Sequence, residues 1–562
     1  MARLKKVLVV GGGTAGWLVA CYLAKAMRSS DPSAVQVHLV EAENIGLLGV
    51  GEATFPSIRG TLAAIGLDER RFLDGAHATY KQGIHYRHWV RPPGAPGREA
   101  FFHPFSLPSQ RPGGPELLPY WLLGEAPAGL SFAEAVAMQS RVVQHQRAPK
   151  RPQDGDYQGP LNHAFHFDAA CFAKVLAEHG TEVLGVHRHV ATVERAELDE
   201  RGAIARLITT ELGALTADLY VDCTGLRGHL IDGAMQSPFH SRADVLFADR
   251  AVAMQVPYER PDAPIPSYTI ATAQEAGWTW DIGLQQRRGV GYVYSSRHSD
   301  EARAEQVLRN YLGAAGEGLT PLRIRFETGY RPEHWRHNCV AVGLAGGFVE
   351  PLESTGIALV ELGAYLLTHA LPADLDDLPR IARHHNAMMV ARYERIIDFI
   401  KMHYCISQRV ARRIDWISSA IWRCSRWRAG STCSTAWSST PTSSRCATPT
   451  RRPTKRGASS RRSSRWRSTP SATCPTIAPS SSGWWVSTAS APGGGTRRPD
   501  SAPPMWRAAG ASRASACHRA TRCPVRRWPS TPVPTARRNA SVSPVKTNSG
   551  QRRTAADQND AR

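Results

Sequence analysis

Residues 348–357, FVEPLESTGI, set two carboxylates, Glu350 and Glu353, among apolar neighbours and run at once into Ser354, Thr355 and Gly356. Carboxylates beside a glycine-opened backbone, in a segment that otherwise reads as buried, are residue types in a setting that could do chemistry. Pro351 gives Glu350 the look of a structural residue. The plainer alternative is that Glu353 is a helix N-terminal acid favoured by the dipole, with Ser-Thr-Gly as its cap. Two further stretches carry chemical groups in unusual settings. ATYKQGI at 78–84 places Lys81 after a tyrosine and before Gly83, and WTWDIG at 278–283 brings Trp278 and Trp280 to one side of an extended segment, where they could also simply pack in a core.

These groups need a frame, and the N-terminus supplies its signature. KKVLVVGGGTAGWLVACYLAKAM predicts a strand from Lys6 to Val10, a glycine turn and a helix from about Thr14. Gly11, Gly13 and Gly16 have the GxGxxG spacing, which permits a tight turn and close approach of a pyrophosphate to the backbone, with the helix opening at Thr14 and Ala15 pointing its N-terminus at the phosphates. A second apolar strand, VQVHLVEAE, ends in Glu41, placed to accept a ribose hydroxyl. Strand-like runs return at ADLYVDCTG (217–225) and NCVAVGLAGG (338–347). Pieces so widely spread predict an α/β, Rossmann-like FAD-binding fold of the monooxygenase type with inserted substrate-binding elements, rather than a compact NAD domain. Only one GxGxxG occurs, so no separate NAD(P)H site is expected.

The chain has 562 residues and a formal charge of +21, unevenly spread. Residues 1–409 hold 41 Lys and Arg against 44 Asp and Glu, whereas 410–562 hold 28 against 4. From Val410 onward there is no leucine, phenylalanine, tyrosine or glutamate, yet six of the 11 cysteines and most of the tryptophans fall there. Disordered tails are poor in Trp and Cys. A GC-rich gene read out of frame from near residue 409 explains the bias, because common leucine codons shifted by one base yield Cys or Trp; the alternative is a basic disordered tail. Upstream, ARYERIIDFIKMHY carries Tyr393, Ile396, Ile397, Ile400 and Tyr404 on one helical face, and the periodicity then stops. The chain therefore divides into 1–409 and a basic 410–562 tail. Cys21, Cys171, Cys223, Cys339 and Cys405 show no framework spacing, as expected of reduced thiols. No run of about 18 apolar residues and no cleavage site is found, so neither a membrane span nor a signal peptide is expected and the chain reads as cytoplasmic.

Together, GGGTAGW at 11–17, GVGEATFPSI at 49–58, ATYKQGI, WTWDIG and FVEPLESTGI resemble the flavin-dependent tryptophan halogenases over most of residues 4–408. The resemblance implies that reduced FAD (FADH2) and O2 convert bound chloride or bromide to hypohalous acid, which travels to Lys81 beside an electron-rich aromatic substrate such as tryptophan or indole. Lys81 then delivers electrophilic halogen, as a hydrogen-bonding ammonium or as a haloamine; a lysine with a pKa lowered by burial suits the second route. Glu353 matches the family's catalytic carboxylate. Thr355 and Gly356 match halide-binding positions, Ile357, Leu344 and Val190 match flavin contacts, and Trp278 and Trp280 match a flavin-side wall that disfavours oxygenation. FFHPF at 101–105 resembles the substrate wall, with His103 and Phe105 against the ring. No metal is expected. Gly283 stands where the family has proline and is expected to loosen the backbone. The family completes its substrate cage after the HYCISQR helix, and nothing in 410–562 matches that region.

The implied partners are a small aromatic substrate and a separate NAD(P)H-dependent flavin reductase, with homodimerisation left open. Two competing readings remain. One is an aromatic monooxygenase using the same reduced flavin; the other is a flavin-binding or nucleic-acid-binding protein without turnover, resting on the charge of the tail.

Overall fold

The computed structural model describes residues 3–43, 51–108, 114–371 and 374–409. The tail 410–562 and the start of the glycine-rich loop, Gly49 and Val50, lie outside the described residues. Every described residue belongs to one compact unit.

Alternation gives way to continuous apolar runs in KVLVV and LYVD because both faces of their sheet are covered. Six strands stand in the order Trp335–Arg336, Cys339–Ala341, Leu219–Asp222, Lys6–Val10, Gln36–Glu41, His187–Val190. The last five are parallel, and Trp335–Arg336 closes one edge antiparallel. The helix Thr14–Met27 packs over this sheet and against the helices Ala169–Glu182 and Thr355–Ala370. The three distant strands predicted from sequence are thus neighbours in one layer, as the Rossmann-like reading required.

A second sheet holds seven strands, in the order Leu322–Arg325, Arg250–Pro257, Arg287–Tyr294, Gly277–Gly283, Thr269–Ala273, Gly83–Arg87, Phe101–Pro104. All pairs are antiparallel except Thr269–Ala273 with Gly83–Arg87. The long helix Leu378–Cys405 covers one face, burying Tyr393, Ile397 and Ile400 with Trp278 and Trp280 in a common apolar cluster.

A small sheet of Glu52–Ala53, Ala164–Phe167 and Thr79–Lys81 lies beside it. Lys81 pairs with Ala164 in the small sheet, and Gly83 pairs with Pro104 in the large one. Gln82, fully buried, is the one-residue joint between them, with its N–H on the Ser267 carbonyl at 2.7 Å. No helix among the described residues is long and apolar enough to cross a membrane.

Candidate active site

The glycine turn is built by close approach. A Cβ on Gly16 would lie 1.8 Å from the Gly11 carbonyl oxygen, so the helix seats directly on the turn. Gly13 caps that helix without a side-chain acceptor, which leaves the N–H groups of the first turn, at Thr14 and Ala15, for a ligand. Glu41 ends its strand over this turn, and a Cβ on Gly12 would collide with its carboxylate. The Glu41 carboxylate accepts from Trp17 Nε1 at 3.2 Å and from Arg188 Nε at 2.6 Å. Val190 pairs with Glu41 and is exposed; Leu344 is exposed on the turn Gly343–Ala345 just beyond the strand Cys339–Ala341. All of these lie at the carboxyl edge of the parallel strands, where such sheets bind ligands. Ile357 is buried in the first turn of Thr355–Ala370.

Lys81 is fully buried, with Nζ 2.7 Å from Ser354 Oγ, 3.1 Å from the Thr54 carbonyl oxygen and 5.2 Å from the Phe105 ring centre. Burial lowers its pKa to about 7, against the opposing pull of Glu353. Ser354 has φ 57°, ψ 39°, a left-handed conformation that costs a residue with a side chain roughly 1–3 kcal/mol. That kink puts the Ser354 hydroxyl on Lys81 and ends the short turn holding Glu353 before the next helix begins.

Glu353 is also fully buried, and three groups converge on its Oε1: the Tyr86 hydroxyl donates to it, His403 Nε2 lies 2.8 Å away and His103 Nδ1 3.1 Å away. Its Oε2 is buried with no hydrogen-bond partner among the described residues. Burial pushes this carboxyl up, but the two imidazoles outweigh it and hold the group well below the usual carboxylate range. Glu350, equally buried, receives the Tyr404 hydroxyl instead, and burial raises it to about 7. The surroundings of the two glutamates therefore shift them in opposite directions. His103, Glu353 and His403 bring three donor atoms within 4.8 Å of one another, a spacing that would also admit a metal ion. The convergence of a phenol and both imidazoles on one oxygen is the arrangement of an ion-paired carboxylate.

The helix Thr355–Ala370 begins with no side-chain cap, Thr355 Oγ1 is buried without a partner among the described residues, and a Cβ on Gly356 would meet open space. An uncapped helix start beside an unused hydroxyl fits a small anion. Trp278 and Trp280 share one face of their strand with ring centres 6.4 Å apart. The expected loosening at Gly283 is not found. Gly283 pairs with Arg288 in the sheet, its carbonyl accepts from Thr79 Oγ1 at 2.6 Å, and a Cβ there would lie 2.6 Å from Ile265. Glycine serves here to admit a neighbouring side chain, not to free a loop.

Sequence reasoning missed Tyr86 and His403. Neither has a local motif; the only available signal for His403 was its place on the buried face of a helix already marked by Tyr393, Ile397 and Ile400.

The sequence model of the tryptophan halogenase family matches residues 6–423. The tryptophan 6-halogenase SttH of Streptomyces toxytricini is 36% identical over 418 residues, covering 71% of this chain and 78% of that protein. The tryptophan 7-halogenase RebH of Lentzea aerocolonigenes is 36% identical over 420 residues, covering 72% and 77%. Among solved structures, a tryptophan halogenase from Shewanella frigidimarina NCIMB 400 superposes with a TM-score of 0.71 at 39% identity, over 76% of this chain and 84% of that one. This chain belongs to the tryptophan halogenase family of flavin-dependent oxidoreductases, whose members use FADH2, O2 and halide.

Proposed function

We propose that the chain halogenates the ring of tryptophan or a related electron-rich aromatic, with Lys81 and Glu353 as its catalytic residues. The observation that carries this reading is the buried Lys81 amine, hydrogen-bonded to the residue that follows the ionised Glu353. Gly11, Gly13, Thr14, Ala15, Gly16 and Glu41 would hold the dinucleotide, with Val190, Leu344 and Ile357 along its length; the orphaned helix N–H groups and the carboxylate poised over the turn fit that role. When bound there, FADH2 would give two electrons to O2, and the resulting peroxide-level oxygen would take the other two from halide, turning it into an electrophile. A separate flavin reductase would supply the reduced cofactor.

The backbone N–H groups of Thr355 and Gly356 and the free Thr355 hydroxyl would seat the halide. Lys81 has a pKa of about 7, so both of its protonation states are populated near neutrality. The ammonium form can donate to hypohalous acid, and the free amine can carry the halogen. His103 and Phe105 would bound the substrate ring on the side of Lys81 and Glu353. When halogen bonds to a ring carbon, the C–H bond at that carbon breaks, its electron pair restores aromaticity, and Glu353 would accept the proton. Buried Trp278 and Trp280 would wall off the flavin side.

Lys81→Ala tests the assignment. Halogenated product is expected to disappear while oxidation of supplied FADH2 by O2 continues. Hydroxylated aromatic product from the unaltered chain would favour the monooxygenase reading, and equal loss of flavin oxidation and product in Lys81→Ala would overturn the role given to Lys81.

A further inference from the structure

Glu350 and Glu353 stand three residues apart, both fully buried, yet their surroundings treat them oppositely. Each accepts a hydrogen bond from a tyrosine, the partly buried Tyr404 for Glu350 and the fully buried Tyr86 for Glu353. What differs is the pair of imidazoles on Glu353 Oε1, His403 Nε2 at 2.8 Å and His103 Nδ1 at 3.1 Å.

The clamp is itself rigidly built. The Tyr86 ring stacks on Phe101 at 4.6 Å and meets Trp89 edge-on at 5.1 Å. His403 Nδ1 lies 2.9 Å from the Phe399 carbonyl oxygen, so that nitrogen carries a proton and Nε2 is the one turned to the carboxylate. The His403 carbonyl in turn accepts from Trp89 Nε1 at 2.7 Å. One indole thus braces both arms of the grip. Burial, then the Glu353 charge, push the Tyr86 phenol well above its ordinary range, so it remains a donor throughout working pH.

We propose that Tyr86 and His403 are positioning residues for the halogenation reaction: they hold Glu353 by Oε1 and leave Oε2 as the oxygen that meets the reacting ring carbon. The proposal rests on the halogenase reading and deepens it, assigning direction to the base. An unpinned carboxylate could rotate and present either oxygen, and a less strongly paired one would drift toward the neutral state that Glu350 favours. The titratable groups coupled to Glu353 come from four elements: Lys81, Tyr86 and His103 from three strands and His403 from the long helix, while Glu350 and Tyr404, close by, bear on Tyr86.

The test uses the full chain labelled with carbon-13 at the glutamate δ-carboxyl, with Glu353→Gln to identify the resonance. In the unaltered protein, Glu353 should remain ionised to below the ordinary carboxylate range, and its midpoint should rise by at least about one pH unit in Tyr86→Phe and in His403→Gln. In turnover, kcat for halogenated product should fall roughly ten- to a hundredfold in Tyr86→Phe. The acid limb of its pH profile should move upward, and KM for the aromatic should stay within about twofold. Ordinary titration of Glu353 in the unaltered chain, or a midpoint unmoved in both variants, would overturn the clamp. Tyr86→Phe removes a single hydroxyl and carries the test alone should His403→Gln fail to fold. Absence of halogenated product from the unaltered chain would count against the halogenase reading, while the carboxyl titration would still decide the clamp.

Discussion

Burying an amine has a thermodynamic cost that is readable in the pH dependence of stability. The folded pKa of Lys81, about 7, lies below its ordinary 10.5, so the unfolded chain binds more protons throughout that interval. Folding stability is therefore lost as pH falls from about 10.5 to about 7. Lys81→Met should remove that loss and raise stability at pH 7 on the order of a few kcal/mol, measured by denaturant titration, while abolishing halogenation. Ser354 gives a complementary prediction. Ser354→Gly relieves the left-handed backbone but deletes the Lys81 partner, so melting temperature should hold or rise while halogenation falls. Lys81 and Glu353 were legible because each sits in a local run that marks it. Tyr86 was not: it reaches Glu353 across 267 residues of sequence, and nothing within HYRHW announces a carboxylate partner.

Elements position these residues, and the helix Thr355–Ala370 does so at both ends of its first two turns. Thr355 and Gly356 start it, and one turn on, Glu361 accepts from Ser57 Oγ at 2.8 Å and Thr61 Oγ1 at 2.5 Å on the neighbouring helix Ser57–Ile65. Burial raises the Glu361 carboxyl to about 7 despite those two hydrogen bonds. A carboxyl raised from 4.5 in this way favours folding at low pH, and the contribution is lost as pH climbs through 7. Glu361→Gln should therefore flatten the fall in melting temperature between about pH 5 and 8 and lie above the parent at the alkaline end. At this scale the sequence was informative where a period or a glycine turn existed: the strand Lys6–Val10, the helix from Thr14 and the strand ending at Glu41 stand where expected. The seven-stranded sheet was foreseen only as inserted elements. Its strands are joined by connections of varied length and pair through long-range register, which single-strand patterns do not encode.

At the scale of the whole molecule, the chemistry and the net charge belong to different regions. Residues 1–409 are slightly acidic in formal count, and every candidate site residue lies among them. The ordered fold persists to the end of that region: Gln408 N–H donates to the Val90 carbonyl at 2.7 Å, and the Arg409 guanidinium reaches the carbonyls of His88 at 2.6 Å and Ala273 at 3.2 Å. An out-of-frame origin for 410–562 predicts that another frame of the gene across codons 400–420 continues into a leucine-containing amphipathic segment. A nucleotide sequence offering no such continuation overturns that origin.

The single-residue joint at Gln82 has a consequence for where halogen lands on a ring. Because the residue before it is registered against one sheet and the residue after it against another, the Lys81 amine proposed to deliver the halogen is indexed by two frameworks at once. On the proposed role of Lys81, substitutions buried far out in either framework are expected to re-aim its amine without altering a pocket wall, and to change the ratio of ring-position products.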